Sequence, residues 1–248
     1  MDVTAPRLTA DDRTPGVVRL SLPGAAGRLD DDLLGALLTE VGRAENTSGV
    51  RVLVLGAAGG TFCPGMALDV DTVDWRPRIA AIETLLRRLT TSPLVTVAVV
   101  DGPATGGGVG LAAACDHVIA GERARFRLTE VLLGLVPAVI LPVLARRMGA
   151  HRAYSLALTA REFDGAEAGR LGLADHCTTD PDGELRRVLT GLRRADHAAI
   201  RALKRYYTGH LDASAGNWEP AAGVLARRFA DPSTRQRLAG LRRHGLIP

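Results

Sequence analysis

The chain has 248 residues, 31 Lys+Arg against 27 Asp+Glu, a formal net charge of +4, 46% hydrophobic and 23% charged residues. These proportions exclude a disordered or fibrous chain and are ample for one sizeable core. The charge is uneven: Arg186–Pro248 holds 13 basic and 4 acidic residues, a net of +9, so charge alone invites a nucleic-acid reading.

The opening MDVTAPRLTADDRTPG has no basic n-region and no apolar h-region, so no secretory signal is expected. Val17–Leu22 (VVRLSL) reads as a strand, and Asp30 as the cap of a helix running to about Ala44. Arg51–Leu55 is a short buried-type strand, Ile79–Leu89 has helical periodicity, and Leu94–Val100 is again a strand. The glycine run Gly106–Gly110 then leads into a helix. His117–Ala120 and Arg125–Leu128 are short strands. From Glu130 onward the pattern is mostly helical, over Pro142–Met148, His151–Leu158, Gly165–Leu171, Leu185–Leu192, Ala198–His210 and Pro220–Phe229. Strands alternating with helices, followed by helices alone, predict an α/β core with parallel strands and a helical C-terminal section. The longest nearly apolar stretch, Val131–Ala145, is too short to span a bilayer. Cys63, Cys115 and Cys177 show neither disulfide nor zinc spacing, so reduced thiols and a cytoplasmic location are expected.

Two loops are candidates to carry chemistry. Gly106, Gly107, Gly108 and Gly110 place backbone N–H groups at the positive end of a helix dipole. Leu111 breaks a dinucleotide fingerprint, and Gly108 stands where a Walker loop needs lysine. By themselves the glycines fit tight strand–helix packing equally well. A second strand-end loop runs Gly59-Gly60-Thr61-Phe62-Cys63-Pro64-Gly65-Met66. Two such loops can hold one carbonyl oxygen between them, each donor contributing about 3–4 kcal/mol to charge developing there.

The segments 51–69, 97–138 and 156–175, which from first to last span about half the chain, resemble the crotonase superfamily of enoyl-CoA hydratases and isomerases. The resemblance implies a spiral of ββα units over residues 1–185, with a helical region over 186–248 that builds trimers or dimers of trimers. It implies oxyanion donors at the N–H groups of Met66 and Gly107. Hydratases of that family use two carboxylates. The first position is Gly110 here, and the second is present as Glu130. Ala67 stands where the family usually has Asp. Isomerases of the family keep only the carboxylate equivalent to Glu130, so isomerisation or dehydration by one acid/base fits better than hydration. The stretch from Glu130 to Pro142, LKRYYTGHLD (203–212) and FADPSTRQRLAGLRRHG (229–245) further resemble the dehydrating crotonases of polyketide β-branching cassettes. Those act on a 3-hydroxy-3-methylglutaryl group carried by an acyl carrier protein.

The expected site is therefore Glu130 as acid/base, with Met66 and Gly107 as oxyanion donors. Ala67, Leu135, Pro137, Lys204 and Arg205 are expected at the substrate. No metal or separate cofactor is implied, the acyl group arriving on CoA or phosphopantetheine. Apolar neighbours Leu128, Val131 and Leu132 are expected to raise the pKa of Glu130, and Thr129 to cap its helix. Asp69, Asp71 and Asp74 read as a solvated loop, Asp116 and His117 as structural, and Cys63 as packing. The basic C-terminal helices read as a docking face for a phosphopantetheine arm or an acidic carrier protein rather than for nucleic acid. A crotonase-like protein that binds RNA without catalysis is the contrasting class, and its binding would fall steeply with salt. No membrane partner is expected.

Overall fold

In a computed structural model the described residues are 5–57, 59–68, 74–211, 223 and 226–245. Six strands form the main sheet: β1 (Arg7–Ala10), β2 (Val17–Leu22), β3 (Val52–Ala57), β4 (Val95–Val100), β6 (His117–Ala120) and β9 (His176–Cys177), in the order β1-β2-β3-β4-β6-β9. Only β1 runs antiparallel to its neighbour. The central strands are β-branched and buried on both faces, as parallel strands covered on two sides must be. Alternation divides their side chains. Val18, Leu20, Leu53, Leu55 and Val118 enter the main core, whereas Val17, Val52, Val54, Val97 and Ile119 pack on Leu185 and Leu189.

Helices α1 (Asp31–Asn46), α2 (Arg76–Thr91) and α3 (Gly107–Ala114) follow β2, β3 and β4 in chain order. The Asp30 carboxylate caps α1 by accepting from Leu33 N at 2.8 Å, and Leu33, Leu34, Leu37 and Val41 turn inward. A second ladder runs beside the main sheet. It consists of bridges Leu29–Met66 and Cys63–Ala104 and the sheet β5 (Pro103–Thr105), β7 (Arg125–Arg127), β8 (Phe163–Asp164). Successive turns of chain thus give a long strand, a short strand or bridge, and a helix, which is the expected ββα spiral. β5, β8 and β9 have two or three residues each and escape a period-2 reading.

The second half contributes α4 (Leu141–Met148), α5 (Ala150–Thr159), α6 (Gly165–Leu171), α7 (Pro181–Arg194), α8 (His197–Tyr206), a π-turn at Tyr207–Leu211, helical residues 226–230 and α9 (Pro232–Arg243). The 185/186 division expected from sequence falls inside α7, whose Leu185 and Leu189 cover the back of the main sheet. Phe229 and Leu238 belong to the main core. The start of the expected Pro220–Phe229 helix lies outside the described residues, as do Asp69, Asp71 and Asp212. Helix α9 was not expected from periodicity, because only Thr234 and Leu238 of its twelve residues are buried. Among the described residues no helix is long and apolar enough to cross a membrane.

Candidate functional site

The two glycine loops meet. Phe62 N and Cys63 N donate to Pro103 O at 2.9 and 3.2 Å, and Thr105 N donates to Cys63 O at 3.0 Å, so the loop after β3 is stitched along β5. Gly65 turns at φ +91, where a Cβ would strike Thr105 O at 2.7 Å. Leu29 N donates to Gly65 O at 2.9 Å, and Ala67 N donates to Leu29 O at 3.1 Å. In such a bridge the intervening N–H, that of Met66, faces away from Leu29. It faces α3: a Cβ placed on Gly107 would lie 3.9 Å from Met66 N, and one on Gly65 would lie 3.8 Å from Gly107 N. Gly107 opens α3 after Gly106, a cap position with no side chain, so its N–H is one of the donors a helix leaves unmatched. The backbone nitrogens of Met66 and Gly107 thus lie close together where the two loops meet.

Glu130 stands at the same helix start. Its Oε1 lies 2.9 Å from where a Cβ on Gly106 would be, and Gly106 turns at φ +49. Any side chain there would be strained and would displace the carboxyl. The residue as a whole is half-buried, but its carboxyl is buried: among the described residues Oε2 is shielded and has no hydrogen-bond partner. Burial pushes its pKa up to about 7, against the opposing pull of its own N–H and that of Thr129. Leu128 is buried and Val131 half-buried, as expected for desolvating neighbours, whereas Leu132 is exposed at 42%. Glu130 opens a 3-10 turn, Glu130–Leu133, that Gly134 closes in the left-handed region at φ 80. The expected Thr129 cap is corrected: its side chain makes no capping bond, because the segment begins as a 3-10 turn with Thr129 already near helical geometry.

The position of the absent carboxylate is filled. A Cβ on Gly110 would sit 2.5 Å from Ile140 Cγ2 and 3.5 Å from Leu86 Cδ1. A carboxylate side chain fits there only if Ile140 gives way. Leu135 and Pro137 are buried. Leu135 N closes the Glu130 turn at 2.8 Å, and the Pro137 carbonyl accepts from Ile140 and Leu141 at 3.1 and 2.9 Å. Both residues shape the wall that carries Glu130 and Ile140. Ala67 is held through its backbone, its carbonyl accepting from Arg78 Nη1 at 2.9 Å.

Lys204, expected beside Arg205 on a docking face, is turned inward. Its Nζ reaches Asp116 Oδ2 at 2.6 Å and the carbonyls of Leu94 and Leu89 at 2.9 and 3.4 Å. The flexible stem of α8 lets the ammonium satisfy strand and helix ends that lack partners. Asp116 follows the C-terminal end of α3, whereas Gly107 begins it, so Lys204 and the converging N–H groups lie at opposite ends of that helix. Arg205 stays exposed. Asp116 also accepts from Thr96 N at 2.8 Å, a structural role. A cavity of about 770 Å³ on this far side includes Lys204 and Arg147, but Lys204 is paired with Asp116 and Arg147 with Asp175. Cys63 is buried, with its thiol pushed up to about 11 by burial, which suits packing and not nucleophilic attack.

Residues not foreseen from sequence are Ile140, Trp75, Arg78, Arg228 and Phe229. Their roles depend on pairings between distant positions, such as Arg228 with Gly134, that leave no local pattern.

Comparison with known proteins identifies the family. Residues 14–222 match the family model described as enoyl-CoA hydratase/isomerase. The chain is 33% identical over 190 residues to the bacillaene synthase dehydratase PksH of Bacillus subtilis, covering 74% of this chain and 73% of that protein. The crystal structure of PksH from Bacillus subtilis superimposes with a TM-score of 0.87 at 27% identity over 99% of each chain. An enoyl-CoA hydratase from Mycobacterium avium does so with a TM-score of 0.87 at 29% identity over 98% of each.

Proposed function

Because the chain belongs to the enoyl-CoA hydratase/isomerase family and is an enzyme of that kind, we propose that it dehydrates a 3-hydroxyacyl thioester in polyketide biosynthesis. The substrate is a 3-hydroxy-3-methylglutaryl group on a carrier protein or CoA. The observation that carries the reading is one buried carboxyl, Glu130, beside the converging N–H groups of Met66 and Gly107, with Ile140 filling the second acid's place.

The thioester oxygen accepts from Met66 N–H and Gly107 N–H, which lowers the barrier to an enolate. The Glu130 carboxylate takes the α-proton, and the electron pair moves onto the thioester oxygen. The enolate then expels the β-hydroxyl, to which Glu130 returns the same proton, so water leaves and the carboxylate is regenerated. A group that must both take and give a proton near neutrality works best with a pKa near 7, where burial places Glu130. No second acid is needed, since the proton taken from the α-carbon is the one given to the hydroxyl. The protein takes no metal or cofactor beyond the thioester's own carrier, and it assembles as a trimer or a dimer of trimers.

Glu130→Gln is expected to lose roughly 10²–10⁴ in kcat on the 3-hydroxy-3-methylglutaryl carrier-protein thioester. A wild-type rate in that variant overturns the reading. The same lone carboxylate favours one second reading, a double-bond shift in an enoyl-CoA. Side-by-side assays of carrier-protein and CoA thioesters, following water loss and double-bond migration separately, decide between them.

A further inference from the structure

Two consecutive side chains near the C-terminus, Arg228 and Phe229, touch opposite walls of the site. On one wall, Arg228 donates from Nε and Nη2 to the carbonyl of Gly134 at 3.0 and 2.9 Å, and Arg237 Nε donates to Leu132 O at 2.8 Å. These carbonyls end the short turn that begins with Glu130, and a turn of this length cannot satisfy them internally. Arg228 is itself aimed by the start of α9. Its Nη2 also donates to Thr234 Oγ1 at 2.8 Å, and its Nη1 lies 3.5 Å from Asp231. On the other wall, Phe229 is 1% exposed and stacks on Trp75 with ring centroids 4.0 Å apart and planes 8° apart. The Arg78 guanidinium lies over the same indole at 5.2 Å and donates from Nη1 to the carbonyl of Ala67, next to Met66.

We propose that Arg228 and Phe229 form a clasp that sets the separation between the Glu130 turn and the Met66 loop, and so act as positioning residues for proton transfer at a bound thioester. The inference rests on Glu130 being the acid/base. Neither side chain need touch substrate. A guanidinium that meets one carbonyl with two donors fixes direction as well as distance, and displacement of a reacting group by about 1 Å can cost about a hundredfold in rate. Charged or titratable groups on the elements packed against the turn are Arg227, Arg228, Asp231, Arg235, Arg237, Arg242 and Arg243 at the C-terminus and His151, Arg152 and Tyr154 on α5. Burial raises Glu130, and its own N–H and that of Thr129 pull it back. Loosening the turn therefore admits water to the carboxyl and returns it toward ordinary carboxylate behaviour.

The test is kcat and KM against pH for thioester turnover by the full-length wild type, Arg228→Gln and Arg228→Lys, with Glu130→Gln as a control and melting temperatures for each. Arg228→Gln is expected to lose about ten- to a hundredfold in kcat with KM little changed. Its acid limb should move down by about one pH unit as Glu130 becomes hydrated. Arg228→Lys, which keeps one donor for Gly134 O, should fall between the two. If Arg228→Gln does not fold, Arg228→Lys decides alone: a reduced kcat with a lowered limb supports the clasp, and wild-type values overturn it. A lowered melting temperature with an unmoved limb is a merely structural effect and also overturns it. Should Glu130→Gln itself run at the wild-type rate, the acid/base assignment fails. Should that variant be dead while the Arg228 variants match wild type, only the clasp fails.

Discussion

Glu130 combines two demands that oppose each other. Its carboxyl is buried without a countercharge, and its pKa is raised to about 7. The sign of the consequence follows from proton counting. Between the ordinary value of 4.5 and about 7 the folded chain holds a proton that the unfolded chain has released, so stability falls as pH rises through that window. At pH 8 the charged carboxylate costs at most about 3 kcal/mol, at 1.36 kcal/mol per pH unit. Glu130→Gln should therefore melt higher than wild type at pH 8, with the gap closing by pH 5, even as it loses activity. Calorimetry at the two pH values checks this, and an unchanged gap contradicts it. In the wild type, kcat/KM should rise with pH through about 7, because the carboxylate form begins the reaction. At this scale much of the site was legible. Gly65 and Gly106 lie in strand-end loops where a positive φ calls for glycine, whereas Glu130 was marked by the family resemblance. The orientation of Lys204 was not legible, since a long amphipathic side chain on a helix reads the same whether it ends in water or on Asp116.

Helix α3 is the element on which the site turns. All eight of its residues are buried, and its glycines are there for space. A Cβ on Gly108 would strike the Cys63 backbone carbonyl, and one on Gly110 the Ile140 side chain. The two differ in what can yield. Gly110→Ala should destabilise by about 1–3 kcal/mol through overpacking, and Ile140→Ala by about 2–5 kcal/mol through a cavity. The double variant should lose less than the sum, with a coupling of about 1 kcal/mol or more in denaturant unfolding. Strict additivity would mean the two positions do not share the space. Gly108→Ala has no such rescue, because backbone must move, and it should part the two glycine loops and lower kcat. Long elements such as β2, α1 and α2 were readable because their periods repeat several times. The bridges Leu29–Met66 and Cys63–Ala104, which align the loops, are single pairings without a period. Gly110 marks the place of a missing carboxylate in the sequence, but Ile140, which fills that place, is unremarkable there.

At the scale of the whole molecule, the contacts that fasten the C-terminal helices to the spiral include Arg228–Phe229 near the site and Lys204 on the far side. Lys204→Met should cost about 1–3 kcal/mol by leaving Asp116 and two carbonyls short of a donor, with the thioester preference unchanged. Arg205→Glu, on an exposed position, should leave stability unaltered. If it raises KM for a carrier-protein thioester more than for a CoA thioester, the basic helices are a docking face, and equal KM values exclude Arg205 from it. The net +9 of Arg186–Pro248 was visible in the sequence, but which of those charges face solvent depended on packing across the fold.

Lys204 is the single lysine in the chain, and its side chain is 10% exposed. The molecule therefore carries one cleavage point for a lysine-specific protease, set on the helix that ties the C-terminal region down. In the folded state that bond is guarded by the ion pair. Any excursion that frees α8 opens it and yields two fragments, 1–204 and 205–248. The cutting rate under excess protease measures how often the C-terminal region lifts from the core, with no label added and no competing site to correct for.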